Sequence, residues 1–340
     1  MSRLVAQVVL LLLAVGSLTA YPTQAARILQ NDGQELDLFF MVQFWNIATF
    51  DALDGDSNAV ADRFDHYIRR GRLGIQGRCR PEVSFVFNFA YDNIGKDGFT
   101  AATGTPQATN NKEFYLWDGF VTVALDPTWA NLTMGYFRPQ VGRESITSAF
   151  KVNSFIKAPA NSWPRRHIVG RGPGRETGLN LGGLYLAGDW SVNYNFGVFD
   201  TNHETIIGHG GRHWAPLLTW RLAFSLGDPE MSRYGLGYTT NYFSERNGIT
   251  VAANGTRQGQ TNQTAEDGEY VGGFKRNTMF GFDLLANVAG FNFGLEYDTL
   301  ERECDCFGVM CEGLSYDPSY ELSLWHLRGS YNFVLPNDQI

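Results

Sequence analysis

The chain has 340 residues with 35 acidic and 27 basic side chains, a formal net charge of −8. That balance excludes a general nucleic-acid binder. Aromatics at 14% and 38 glycines, with few helix formers, exclude a mostly helical protein and favour an all-β one.

The N-terminal stretch MSRLVAQVVLLLLAVGSLTAYPTQAA has one charge, Arg3, an apolar run from Leu4 to Leu18, and small residues at its close. It reads as a secretory signal peptide cleaved after Ala25, leaving 26–340 as one domain with a net charge of −9. A membrane anchor is the alternative, but the run is short for a span. No later segment offers eighteen consecutive apolar residues, so transmembrane helices are not expected. A secreted soluble β-protein and an outer-membrane β-barrel remain.

Strands alternate faces with period two. From Leu36 onward, Leu38, Phe40, Val42 and Phe44 share a face. In HYIRRGRLGIQGRCRPEVSFVFNFAYDN, even positions carry Arg70, Arg72, Gly74, Gln76, Arg78 and Arg80, whereas odd positions carry Leu73, Ile75 and Cys79. A turn at Arg80-Pro81-Glu82 leads to a return strand with Val83, Phe85, Phe87, Phe89 and Tyr91 on one face. The pattern recurs in Tyr115 to Leu125, Leu132 to Tyr136, and Leu218 to Leu226, where Arg221 lies on the polar face. A hairpin from Phe280 to Tyr297 sets Asp283, Asn287, Asn292, Glu296 and Asp298 opposite its apolar face. Roughly twelve such strands are visible. Tight turns are expected near 80–82, 126–130, 187–189, 227–232 and 288–290. Long polar loops are expected near 51–65, 94–112, 139–175, 201–213, 246–274 and 301–319. Short turns at one end and long loops at the other fit an outer-membrane barrel, with its apolar face to lipid and its polar face to a lumen. The rival is a soluble β-sandwich acting as a binding protein or hydrolase.

In the barrel reading, Arg70, Arg72, Arg78 and Arg80 form a positive column along one wall, joined by Arg221 from another strand, and fixed cations select by sign. The loop from Pro139 to Arg175 holds Arg143, Lys151, Lys157, Arg165, Arg166, Arg171 and Arg175 against a single acid, Glu144. Its Pro and Gly residues let it fold sharply into a pore; the alternative is a solvated loop binding anionic lipid headgroups. Only five basic residues are lysines and 22 are arginines, whose planar fork suits phosphate and carboxylate oxygens.

Catalytic and metal signals are weak. Cys304, Cys306 and Cys311 fit no standard zinc spacing, and a loop-closing disulfide among them is preferred. Asp51 to Asn58 lacks the rest of a calcium-loop pattern. The six histidines are scattered, and no Ser or Asp forms a recognisable triad. No enzyme activity and no cofactor are expected.

YIRRGRLGIQGRCRPEVSFVFNFAYDNIGKD resembles the adjacent-arginine strand and hairpin of the phosphate-selective porins O and P. NLTMGYFRPQVGRESITSAF resembles that family's entry into its constriction loop, and FGFDLLANVAGFNFGLEYDTL and LWHLRGSYNFVLPND resemble later strands. The resemblance runs from about residue 35 to about 335. It implies an antiparallel transmembrane β-barrel of about sixteen strands in the bacterial outer membrane, in contact with outer-membrane lipid. It also implies a homotrimer whose arginine ladder passes phosphate or polyphosphate. Arg69 and Arg70 fall on the family's paired arginines, and Arg143 and Lys151 lie in the constriction-loop segment. Alternation sends Arg69 and Arg70 to opposite faces unless the strand bulges there. Two departures weaken the phosphate assignment relative to anion preference in general: Tyr136 stands where the family often has a basic residue, and lysines are few. The chain also stops at Ile340 where members continue with further strands, so a truncated product is expected, with a smaller barrel as the alternative.

Overall fold

The structure, a computed structural model, describes residues 26–50, 62–96, 114–154, 156–169, 174–200, 215–259, 263–264, 270–306 and 319–333. The signal segment, Asp51 to Asn58, Arg171, Cys311 and the side chains of Cys304 and Cys306 lie outside the described residues. Cys79 is exposed and free.

The chain divides into two units, Met1–Gly119 and Phe120–Ile340. In the first, β1 (Ala26–Asn31), β2 (Gln34–Thr49), β3 (Arg63–Arg80) and β4 (Val83–Ile94) pair antiparallel in chain order. Strand β5 (Tyr115–Asp126) begins in the first unit and ends in the second. The second unit contains β6 (Ala130–Phe137), a short helix α1 (Arg143–Ile146), a 3-10 turn (Pro159–Asn161) and α2 (Ser162–Val169). It continues with β7 (Glu176–Ala187), β8 (Trp190–Asp200), β9 (Leu217–Gly227), β10 (Gly248–Gln258), β11 (Gln263–Thr264), β12 (Tyr270–Val288), β13 (Phe291–Cys306) and β14 (Tyr320–Tyr331). Here the hydrogen-bonded neighbours are β6-β7-β8-β9-β10-β12-β13-β14, with β11 beside β12. The expected all-β antiparallel class holds. Among the described residues no helix is long and apolar enough to cross a membrane.

Burial in both units is the reverse of a soluble protein's. In β9, Leu222 is 53% exposed and its neighbour Arg221 is 0% exposed. Phe280 and Phe282 of β12 point outward, whereas Asp283, Asn254 of β10 and Glu296 of β13 are buried. In the first unit Phe40, Val42 and Phe44 are exposed while Arg70 and Arg72 are buried. Apolar outside and polar inside is the arrangement of strands facing hydrocarbon. The expected rows on β9, β12 and β13 are the observed ones.

Two local expectations need correction, and one open alternative is resolved. The stretch 246–274 is not one long loop, because β10 crosses it, paired residue for residue with β9 and β12. Its outward row starts with exposed Ile249 and Val251 but continues with Ala253, Gly255 and Arg257, so the apolar signal breaks off after two residues. The β9–β10 connection is not a tight turn at 227–232: the chain leaves β9 at Gly227 and returns only at Gly248. Lastly, β3 is irregular at Arg69. Gln43 pairs with Arg70 but Phe44 with Ile68, so Arg69 is an extra residue in the ladder, a bulge. The buried set accordingly switches from odd (Tyr67) to even (Arg70, Arg72).

Candidate functional site

In the first unit the bulge decides the fate of the two adjacent arginines. Arg70 is buried on the polar face and donates to Gln43 Oε1. Arg69 sits half-buried at the bulge, donating from Nη1 to Asn93 Oδ1 at 2.9 Å, with its guanidinium 5.7 Å from the Trp45 ring centre. Arg72 lies 4.0 Å above the Trp117 ring and forms a forked pair with Asp92, Nη2 reaching Oδ2 at 3.1 Å. Arg78 is half-buried opposite Glu35 and Ser84, and Arg80 is exposed at the turn.

In the second unit the segment after β6 folds onto the polar face. Phe137, Val141, Ile168 and Val169 join Phe199, Leu217, Met279 and Leu300 in a buried apolar cluster that seats it. Each such buried side chain contributes roughly 1.5–3 kcal/mol. Gly142 opens α1 with φ 66°, the left-handed conformation that favours glycine. The Gly142 amide donates to Asn254 Oδ1 (3.2 Å) and the Glu144 amide to Glu296 Oε2 (2.8 Å), giving the first amides of α1 partners on β10 and β13. At the far end of the segment, His167 Nε2 donates to the Thr278 carbonyl (2.8 Å), which leaves Nδ1 to accept from Tyr320 Oη (2.9 Å). Asn277 and Arg302 both donate to the His167 carbonyl at 2.9 Å, capping α2.

Two electrostatic groups result. The first is a balanced quartet. Arg221 forks onto Asp283 at 2.5 and 2.9 Å. Arg143 donates from Nε to Asp283 Oδ1 (2.7 Å) and forks onto Glu230 at 2.8 and 2.7 Å. Both guanidiniums lie over the Tyr238 ring, at 4.9 Å for Arg143 and 5.2 Å for Arg221. Burial alone would lower the Arg143 pKa, but Glu230 and then Asp283 hold it well above its usual range. These two predicted arginines therefore have carboxylates on their donor edges.

The second group is rich in cations. Lys157 is buried and donates to the Glu144 and Ser145 carbonyls, the latter at 2.9 Å. Arg138 donates to the Ser145 and Thr147 carbonyls at 2.5 and 3.2 Å. These carbonyls carry no formal charge of their own. Burial, then Arg138 and Arg165, and also Arg175, push the Lys157 ammonium well below its usual range against the pull of Glu144. Burial and then Arg175, with Arg166 also adding, depress Arg165 to about 10, again against Glu144. Glu144 is itself shared: it accepts from the Ala158 amide at 3.0 Å and from Arg328. Of the remaining predicted residues, Arg175 is buried near Lys157, Arg166 is exposed on α2, and Lys151 is exposed, its carbonyl accepting from Thr240 and Asn241. Among the described residues no group of acids, histidines and cysteines could hold a metal ion.

Sequence reading missed Arg138, just outside the predicted loop, and the partners Glu230 and Asp283. Asp283 was visible as a polar-face residue; Glu230 carried no periodic signal because it lies between strands.

Residues 42–218 match the family model described as phosphate-selective porin O and P, more than half of the chain. No curated protein matches. Among solved structures the chain is similar to in-vitro folded OmpT, an outer membrane protein of Vibrio cholerae, at 9% identity, covering 90% of this chain and 74% of that one with a TM-score of 0.44. It is also similar to a loop L8 deletion mutant of that protein (8% identity, 89% and 90% covered, TM-score 0.39). The trimer form gives 8% identity, 89% and 85% covered, and the same score.

Proposed function

From the premise that this chain belongs to the phosphate-selective porin O and P family, and is thus an outer-membrane porin, we propose that it forms a non-enzymatic diffusion channel selective for anions, phosphate or polyphosphate among them. The observation that carries this reading is the cation-rich loop on the polar face. Lys157, Arg165 and Arg175 crowd together where Glu144 is the loop's single acid, with Arg138 beside them. A site in which cations already repel one another gains most from an entering anion, which offsets their mutual repulsion and its own dehydration. We assign Arg70, Arg72, Arg78 and Arg80 of β3 to the channel lining, with Arg70 rather than Arg69 as the inward member of the adjacent pair. The family resemblance further supports a homotrimer.

The test is reversal potential in planar bilayers under a KCl gradient, with phosphate added as a competitor. Chloride should be preferred, and phosphate should reduce its current. Lys157→Met combined with Arg165→Gln should lower both effects several-fold. A second reading, a nonselective porin, draws on the pairing of Arg72, Arg143 and Arg221 with carboxylates. A reversal potential near zero in the unsubstituted protein would favour it.

A further inference from the structure

The connection between β9 and β10 leaves from the end of the second unit that carries the short turns. Gly227 and Gly248 are paired, and Leu226 of β9 lies beside Trp190 at the β7–β8 turn. On β12, Asn287, near the β12–β13 turn, pairs with Gly248. The cation-bearing loop enters from the opposite end, after Phe137, beside Glu176. The two insertions meet on the polar face. The Gly237 amide donates to Gln140 Oε1 at 3.0 Å, and Thr240 and Asn241 donate to the Lys151 carbonyl at 3.3 and 3.1 Å. Gly237 has φ 80°, and a Cβ would stand 2.8 Å from the Ile146 carbonyl, so the contact requires glycine. Tyrosines fix the connection to the strands: Tyr234 Oη donates to Asn195 Oδ1 at 2.7 Å, and Tyr238 Oη to Asn193 Oδ1 at 2.5 Å. At the junction Glu230, which also accepts from Tyr242 Oη at 2.8 Å, takes both Nη atoms of Arg143.

We infer that Glu230 is a selectivity-determining residue of the channel: carried in by residues 228–247 from the short-turn end, it cancels the charge of Arg143. Arg143 and Arg221 face Glu230 and Asp283, so the quartet sums to no charge. Without Glu230 the same residues would carry one net positive charge. The inference rests on the porin reading for its channel, but it concerns a difference between variants and not the sign of the starting selectivity.

Reversal potentials of the full chain in planar bilayers test it, with folding checked by heat-modifiable gel mobility. Glu230→Gln keeps the side-chain size and an oxygen for Arg143 while removing the charge. It should raise the anion-to-cation permeability ratio about two-fold or more. Glu230→Asp should restore the ratio towards that of the unsubstituted protein. The double variant Arg143→Met with Glu230→Met removes one charge of each sign and should leave the ratio near its starting value. If Glu230→Gln fails to fold, the double variant alone decides: a clear shift towards cations would mean that Arg143 serves as an open anion site and would overturn the inference. An unchanged ratio in folded Glu230→Gln, even with altered current noise, would reduce Glu230 to a structural brace and overturn it equally. A cation-preferring or nonselective starting protein would sink the proposed function but leave these comparisons readable.

Discussion

The quartet of Arg143, Arg221, Glu230 and Asp283 and the cluster around Lys157 are built from the same kinds of residue yet do opposite things. In the quartet both guanidiniums fork onto carboxylates, so the cations act as cross-links among loop, insertion and strands. In the cluster Lys157 and Arg138 donate to carbonyls, and burial and then neighbouring cations depress Lys157 and Arg165. An arginine on the polar face is thus not by itself an anion site; the carboxylates within reach decide. The Arg72–Asp92 pair in the first unit makes the same point.

Removing a carboxylate from the quartet is the harshest way to separate the two groups. Asp283→Ala leaves Arg221, which has no exposed surface, without its counter-charge. Loss of one partner of a buried pair costs roughly 3–5 kcal/mol. Urea unfolding followed by gel mobility should show this loss, whereas Arg165→Gln in the cluster should leave stability unchanged or raise it, since a crowded cation is removed. Equal losses from both would erase the distinction.

A pH titration probes the seat of the loop. Burial, then the nearby Arg302, lower His167 from its ordinary 6.5 to about 3, against the Thr278 hydrogen bond, so it is neutral in the folded protein. The unfolded chain takes up a proton that the folded one refuses. The stability from this group is therefore complete above about 6.5 and is lost as pH falls towards about 3. His167→Gln should flatten the dependence across that window; an unchanged slope would place it elsewhere.

The smallest effect is expected in the first unit. Arg72→Met removes the contact with Trp117 and the forked pair with Asp92, on a face where Asp92 is still partly open to water. The unfolding free energy should fall by about 1–2 kcal/mol, mostly from the cation–π contact and the charged hydrogen bonds.

Much of the fold was legible in the residues. Leu218 to Leu226 and Phe280 to Tyr297 alternate cleanly because one face meets an apolar solvent and the other does not, and their rows are the observed ones. The tight turns at 80–82, 126–130, 187–189 and 288–290 join the observed strands. Strand β10 escaped because its outward row is strongly apolar only at Ile249 and Val251 before it gives way to Ala253, Gly255 and Arg257, and the β9–β10 insertion escaped because its tyrosines are spaced for no strand. In the site, the seven cations and one acid of the loop were visible by counting. Which of them keep their charge was not.

The sequence by itself determined the alternation of faces and the concentration of positive charge between Pro139 and Arg175, since both are set by residue order along a short stretch. Only the tertiary structure decided that Arg69 is extruded as a bulge, that Arg70 turns inward, and that Arg143 meets Glu230 and Asp283, which stand 87 and 140 residues away along the chain. Charge cancellation depends on distances of a few ångströms, and strand register and loop docking set those distances.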